Sequence, residues 1–87
     1  MNVQQAVEDI NRRQKLMSDA ADTATVASNK YQAHMTLYNT AVMRGDKDEM
    51  EKQRDILHAL LDQILDTGFE IGTHQREINR IVRDVRA

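Results

Sequence analysis

Apolar residues recur at alternating steps of three and four along two long segments, and this period constrains the fold most. In the first segment the residues in step are Val3, Val7, Ile10, Gln14, Met17, Ala21, Ala24, Ser28, Tyr31, Met35, Tyr38 and Val42. In the second they are Met50, Arg54, Leu57, Leu61, Ile64, Gly68, Ile71, Gln75, Ile78, Val82 and Val85. This spacing lines up one stripe of an α-helix. It predicts two helices, over about 3–43 and 47–86.

Composition points to the same fold class. The 87 residues include no Pro, three Gly and only three aromatic residues, so the chain lacks the material of a sheet. We therefore predict a single all-α domain over residues 1–87, an antiparallel two-helix hairpin like a coiled coil. The hairpin is expected to complete a helical bundle with a partner or by self-association.

The predicted turn spans residues 44–47. Gly45 suits the left-handed conformation just past a helix end, and Asp46 can cap the next helix with Glu49 completing a capping box. A turn this short makes the helices antiparallel neighbours. Folding about it pairs positions whose numbers add to about 92, which sets His34 opposite His58.

Gly68 and Gly72 weaken the second helix, because each glycine costs a helix interior about 1 kcal/mol relative to alanine. Since the apolar period continues across them, one helix is predicted, and a kink at 67–73 is left open. A break into two shorter helices is the alternative.

Apolar residues also lie beside the predicted stripes, on an arc wider than a hairpin can bury. They are Ala6, Leu16, Ala20, Ala27, Leu37 and Ala41 in the first helix, and Ile56, Leu60, Leu65, Phe69 and Ile81 in the second. We interpret this excess as a partner-binding surface formed by Leu16, Leu37, Leu60, Leu65, Phe69 and Gly72. Ordinary exposed side chains are the alternative.

No arrangement of residues indicates catalysis, and the chain has no cysteine. Asp55 and Asp62 stand at ligand-like spacing around His58, but a solvated helix face explains them better than a metal site. We therefore predict a non-enzymatic protein without catalytic, metal or cofactor-binding residues.

Basic residues concentrate where the two chain ends are expected to meet. They are Arg12, Arg13, Lys15, Arg76, Arg80, Arg83 and Arg86. A small nucleic-acid-associated regulator is thus the alternative function, although interspersed acids make nucleic acid an unlikely partner. No apolar run reaches the length of a membrane span, and no secretory signal is visible. A cytoplasmic location is expected, with signal-independent export open.

The turn region carries a family resemblance. The stretch Val42-Met43-Arg44-Gly45-Asp46, followed by a Gln- and Leu-rich helix, is similar to the helical co-chaperones of type III secretion. The type VII secreted hairpins have Trp-x-Gly at their turn, where this chain has Met43-Arg44-Gly45. Small phage hairpin adaptors share the architecture. The resemblance implies a co-chaperone, an adaptor or an assembly subunit, working by binding another helical protein or itself.

Overall fold

The computed structural model describes residues 2–86 as two long antiparallel helices. Helix α1 spans Val3–Arg44 and α2 spans Lys47–Arg86. Two residues, Gly45 and Asp46, connect them, and the molecule measures 63 × 15 × 12 Å. The predicted all-α hairpin is confirmed. Helix α2 runs through Gly68 and Gly72 without interruption.

Polar side chains and one glycine define where the helices begin and end. Asn2 caps α1 by accepting a hydrogen bond from the Gln5 backbone N–H at 2.8 Å. At the other end Gly45 adopts a φ of 69°, a left-handed conformation that costs a residue with a Cβ more than glycine. Asp46 caps α2 by accepting from the Glu49 N–H. The Glu49 carboxylate does not complete the predicted capping box, because it binds Gln53 instead.

The buried line of α1 consists of residues that the sequence pattern placed beside the stripe. Four alanines spaced by multiples of seven are buried: Ala6, Ala20, Ala27 and Ala41. By contrast, Val7, Met35 and Val42 of the predicted stripe are exposed. The alanine line is better suited to the contact because a methyl side chain lets two helix backbones approach closely, which Val and Met prevent. The prediction was therefore wrong by one position along half of its stripe.

Helix α2 shows the same one-position difference. Gln53, Thr67 and Ile81 are buried, whereas the predicted Arg54 and Leu61 are exposed. The other half of each predicted stripe does face the partner helix except at its end, where Val3 and Val85 are exposed. The remaining residues of this half are buried or half-buried: Ile10, Met17, Ala24, Tyr31 and Tyr38 in α1, and Met50, Leu57, Ile64, Ile71 and Ile78 in α2.

Two hydrogen bonds between the helices fix how they are aligned. His34 bonds to Gln53, and Arg13 contacts His74. In both pairs the residue numbers add to 87, so the predicted sum of 92 and the pairing of His34 with His58 were wrong. The physical reason is that the chain descends from the end of α1 before α2 begins. The first residue of α2 therefore stands level with about Thr40, one helical turn before Arg44.

Candidate interaction surface

A polar layer near the turn crosses the buried line of the hairpin. The Glu49 carboxylate can only accept, so the Gln53 amide nitrogen donates to it at 2.8 Å. The Gln53 amide oxygen then faces His34 and accepts a hydrogen bond from its Nδ1 at 2.7 Å. Gln53 is buried, and this chain of bonds satisfies both ends of its amide. The layer favours one alignment, because any other would leave the Gln53 amide oxygen without its donor, His34.

A second polar layer lies near the open end, where the chain termini approach. Arg13 Nη1 donates to His74 Nδ1 across the helices at 3.3 Å. Arg13 Nε lies 3.4 Å from Asp9 Oδ1, although its geometry makes no hydrogen bond. The two polar layers are three heptads apart on each helix, with apolar residues between them. Over residues 2–86 the polar side chains between the helices are therefore engaged in contacts within the hairpin.

The sequence-predicted partner residues do not form one surface. Leu37 lines a shallow groove with Thr40, Ala41 and Glu49 on one side of the hairpin. Leu16 stands three heptads before Leu37 and is half-buried. On that side of the hairpin these two leucines are separated by polar residues.

Leu60 is a special case among the predicted partner residues. It is half-buried and falls on the same heptad line of α2 as Gln53, Thr67 and Ile81, which face α1. By its alignment Leu60 stands level with Ala27. Its main role in the structure is therefore to pack within the hairpin.

Leu65, Phe69 and Gly72, the remaining predicted residues, do lie together. They line a shallow open groove on the outer side of α2, which we call the glycine face: Ile64, Leu65, Gly68, Phe69, Gly72 and Arg76. Phe69 is 76% exposed and Leu65 is 57% exposed. A Cβ added at Gly68 would meet nothing within 4 Å, so bare backbone faces outward there. The glycine face thus combines two large exposed apolar side chains with an accessible helix backbone.

Helix α1 contributes an uncharged strip that the sequence analysis overlooked. Two lines of positions beside its buried residues carry no charge over the length of the helix. They are Gln4, Val7, Asn11, Gln14, Ser18, Ala21, Thr25, Ser28, Gln32, Met35, Asn39 and Val42. In a chain with 30% charged residues, a strip of this length lowers the desolvation cost of covering this side. The spacing alone could have revealed it.

Several basic residues at the open end are paired with acids. Arg12 and Arg13 lie against Asp9, and Arg80 bonds to Glu77 and Asp84. The hydrogen bond from Arg12 lowers the pKa of Asp9, and the bond from Arg80 lowers that of Glu77. The same contact with Glu77 raises the pKa of Arg80. These pairs reduce the positive field that a phosphate backbone would meet.

A row of charges that runs through the glycine face has no such pairs in the part of the chain that the structure describes. Asp55, Asp62, Phe69, Arg76 and Arg83 follow one another at intervals of seven along α2, and all five are exposed. Among residues 2–86, none of these four charged side chains forms an ion pair. The acids occupy the half of the row near the turn and the arginines the half near the open end. Within the described residues the row thus carries no ion pair, and its one side-chain hydrogen bond runs from Arg76 to the neutral Thr73 hydroxyl.

Comparison with protein-family models, with curated proteins and with solved structures finds no match to this chain. Within residues 2–86, no cluster of three or more His, Asp or Glu side chains could hold a metal ion. Neither helix, over the same residues, is apolar for long enough to cross a membrane.

Proposed function

We propose that this protein is a non-enzymatic protein-interaction module, an adaptor, co-chaperone or assembly subunit that binds helices through the outer side of α2. The observation that carries this proposal is the glycine face. Leu65 and Phe69 remain exposed there although the hairpin buries a line of other residues between its helices. Large apolar side chains beside small residues are the anchors around which helix interfaces concentrate their binding energy.

The geometry also supports binding over catalysis. The polar groups that cross the buried line, those of His34, Gln53, Arg13 and His74, bond to one another or to neighbouring acids. The grooves on the surface are shallow and open, which suits a helix better than a small substrate enclosed on several sides. The ion pairs at the open end weaken the case for the alternative, a nucleic-acid-associated regulator.

The proposal is tested with a double variant, Leu65→Asp with Phe69→Asp. A matched control replaces two exposed apolar residues away from the glycine face, Val26→Asp with Met43→Asp. Both variants should keep the helical circular dichroism spectrum, because all four side chains are exposed. Proteins retained from extracts of the native cells by the immobilised wild type should be lost with the first variant and kept with the control. Equal retention by both variants would contradict the proposed function.

A further inference from the structure

The unpaired row on α2 reverses its charge about Phe69. Asp62 stands seven residues before Phe69 and Arg76 stands seven after it. Asp55 and Arg83 stand fourteen residues before and after it. A helix turned end for end about Phe69 therefore presents an arginine wherever the original presents an aspartate.

We propose that the glycine face binds a second copy of this chain, with the two α2 helices antiparallel and crossing at Phe69. This inference rests on the proposed function and names the partner that the same surface takes. A two-fold axis through Phe69 sets Asp62 opposite Arg76 of the second copy and Asp55 opposite Arg83 of the second copy. Each pair then occurs twice, as a two-fold symmetric interface requires.

The charges select the direction of this pairing. If the two α2 helices ran parallel in the same alignment, Asp62 would meet Asp62 and Arg76 would meet Arg76, and like charges in contact repel. The antiparallel arrangement turns every such contact into an opposite-charge pair. Elsewhere on the hairpin, acids such as Asp9 and Glu77 bond to arginines of their own chain. The four charges of the row through Phe69 form no ion pair within residues 2–86, although Arg76 donates a hydrogen bond to the neutral Thr73 hydroxyl at 3.2 Å.

The shape of the glycine face agrees with the same symmetry. Leu65 precedes Phe69 by four residues and Gly72 follows it by three, so the two-fold axis brings Leu65 of each copy close to the level of Gly72 of the other. The bare backbone at Gly68 gives the opposing leucine room to pack, whereas at Gly72 the Arg76 Nη1, 3.5 Å from where a Cβ would stand, has to turn aside. A second groove, lined by Arg76, Asn79, Val82 and Arg83, continues the surface toward the open end.

The size of the proposed interface indicates how strongly two copies should associate. From Asp55 to Arg83 the row covers about 42 Å of helix at 1.5 Å per residue. A strip of this length along a single helix belongs with small, reversible interfaces. Self-association is therefore expected to be weak, with a dissociation constant between about 1 µM and 1 mM.

Charge reversal tests the proposal. Asp62→Arg leaves only arginines at positions 62 and 76, and Arg76→Asp leaves only aspartates. Each variant alone should self-associate at least about tenfold more weakly than the wild type in sedimentation velocity at low salt. An equimolar mixture of the two, and the double variant that carries both changes, should associate again. Circular dichroism checks that the hairpin is intact, as expected for exposed side chains that form no ion pair within residues 2–86.

A variant at Gly68 separates association from folding. Since a methyl group there meets nothing in the chain, Gly68→Ala should raise the thermal midpoint of the diluted protein. The same methyl group narrows the groove and should weaken self-association. A variant that lowers the midpoint, or that strengthens association, would contradict the geometry proposed for the interface.

Two outcomes would overturn the inference: a wild type that stays monomeric up to about 1 mM, or charge variants that associate as well as the wild type. In either case, the capture experiment with the double variant Leu65→Asp and Phe69→Asp decides about the proposed function. If this variant fails to capture the proteins that the wild type captures from cell extracts, the proposed function survives with another helical protein as the partner. If that capture is unchanged as well, the proposed function fails together with the inference.

Discussion

Two alanines of α1 give opposite predictions for the same substitution. Ala27 is 2% exposed on the buried line, whereas Ala21 is exposed. The sequence pattern places Ala21 in the contact and Ala27 beside it, and the structure reverses these assignments. Replacing each alanine in turn with leucine therefore tests which side of α1 meets α2.

The expected magnitude follows from burial. Leucine adds three carbon atoms, and adding such groups to a packed site costs about 1–3 kcal/mol. A domain of this size loses about 4–8 °C of thermal midpoint per kcal/mol, so Ala27→Leu should lower the midpoint by roughly 4–24 °C. Alanine and leucine are both strong helix formers, and Ala21→Leu on the surface should change the free energy of unfolding by less than about 0.5 kcal/mol.

Thermal and urea denaturation followed by circular dichroism measure both variants. The series should be repeated at several protein concentrations, because self-association raises the midpoint with concentration and would otherwise mix with the packing effect. If Ala21→Leu destabilises the protein and Ala27→Leu does not, α1 meets α2 through the stripe that the sequence pattern predicts, and the alanine contact is refuted.

Three further predictions concern the polar layer, the turn and the ion pairs. His34→Leu should lower the free energy of unfolding by about 1–3 kcal/mol by leaving the buried Gln53 amide oxygen without its donor; adding Gln53→Leu should recover much of this loss, and no recovery would argue against the bond. Gly45→Ala should cost about 1 kcal/mol in urea denaturation because φ is 69° there, and an unchanged stability would contradict that geometry. Since the pKa values of Asp9 and Glu77 are lowered from 3.8 and 4.5, their stabilising contribution is present above those values and lost as pH falls through the lower folded values. The acid-induced drop in thermal midpoint should shrink in about 0.5 M NaCl and with Asp9→Asn, and an equal drop in every case would rule out these pairs as its source.

Much of the architecture was readable from the sequence because it depends on local signals. The heptad period, the absence of proline and the single left-handed position at Gly45 determine two helices and a turn. The side of α1 that faces α2 was harder to predict from the sequence. The sequence pattern favours valine and methionine over alanine in a stripe, since they are more hydrophobic, whereas the contact favours the small side chain at Ala6 and Ala27. Burying the more hydrophobic side chains and bringing the two helix backbones close together are competing effects here. The spacing of apolar residues does not show which effect is larger.

The alignment of the helices depends on the path of the turn, which the sequence does not show. The prediction folded the chain symmetrically about Gly45 and Asp46 and did not allow for the length of helix that the turn passes before α2 begins at Lys47. The residue numbers of facing positions therefore add to 87 and not to the predicted 92. For the candidate surface, the grouping of Leu65, Phe69 and Gly72 came from the pattern. The charge reversal about Phe69 was also present in the sequence, but its acids resemble those of any solvated helix face until the structure shows the exposed groove at Leu65 and Phe69 between them and the arginines.

The two-residue connection has a consequence for the order of folding. The facing residues next to the turn close a loop of only a few residues. Each further pair of facing residues then adds only a small loop to one that is already closed. The entropic cost of closing the hairpin is therefore spread over many small steps. Ala6 and Ile81 are far apart in sequence, yet bringing them level costs little additional conformational entropy once the layers nearer the turn have formed. The hairpin should therefore close like a zipper from the turn and open from its free ends. Such opening separates Ala6 from Ile81 first and leaves Phe69, in the middle of α2, on intact helix.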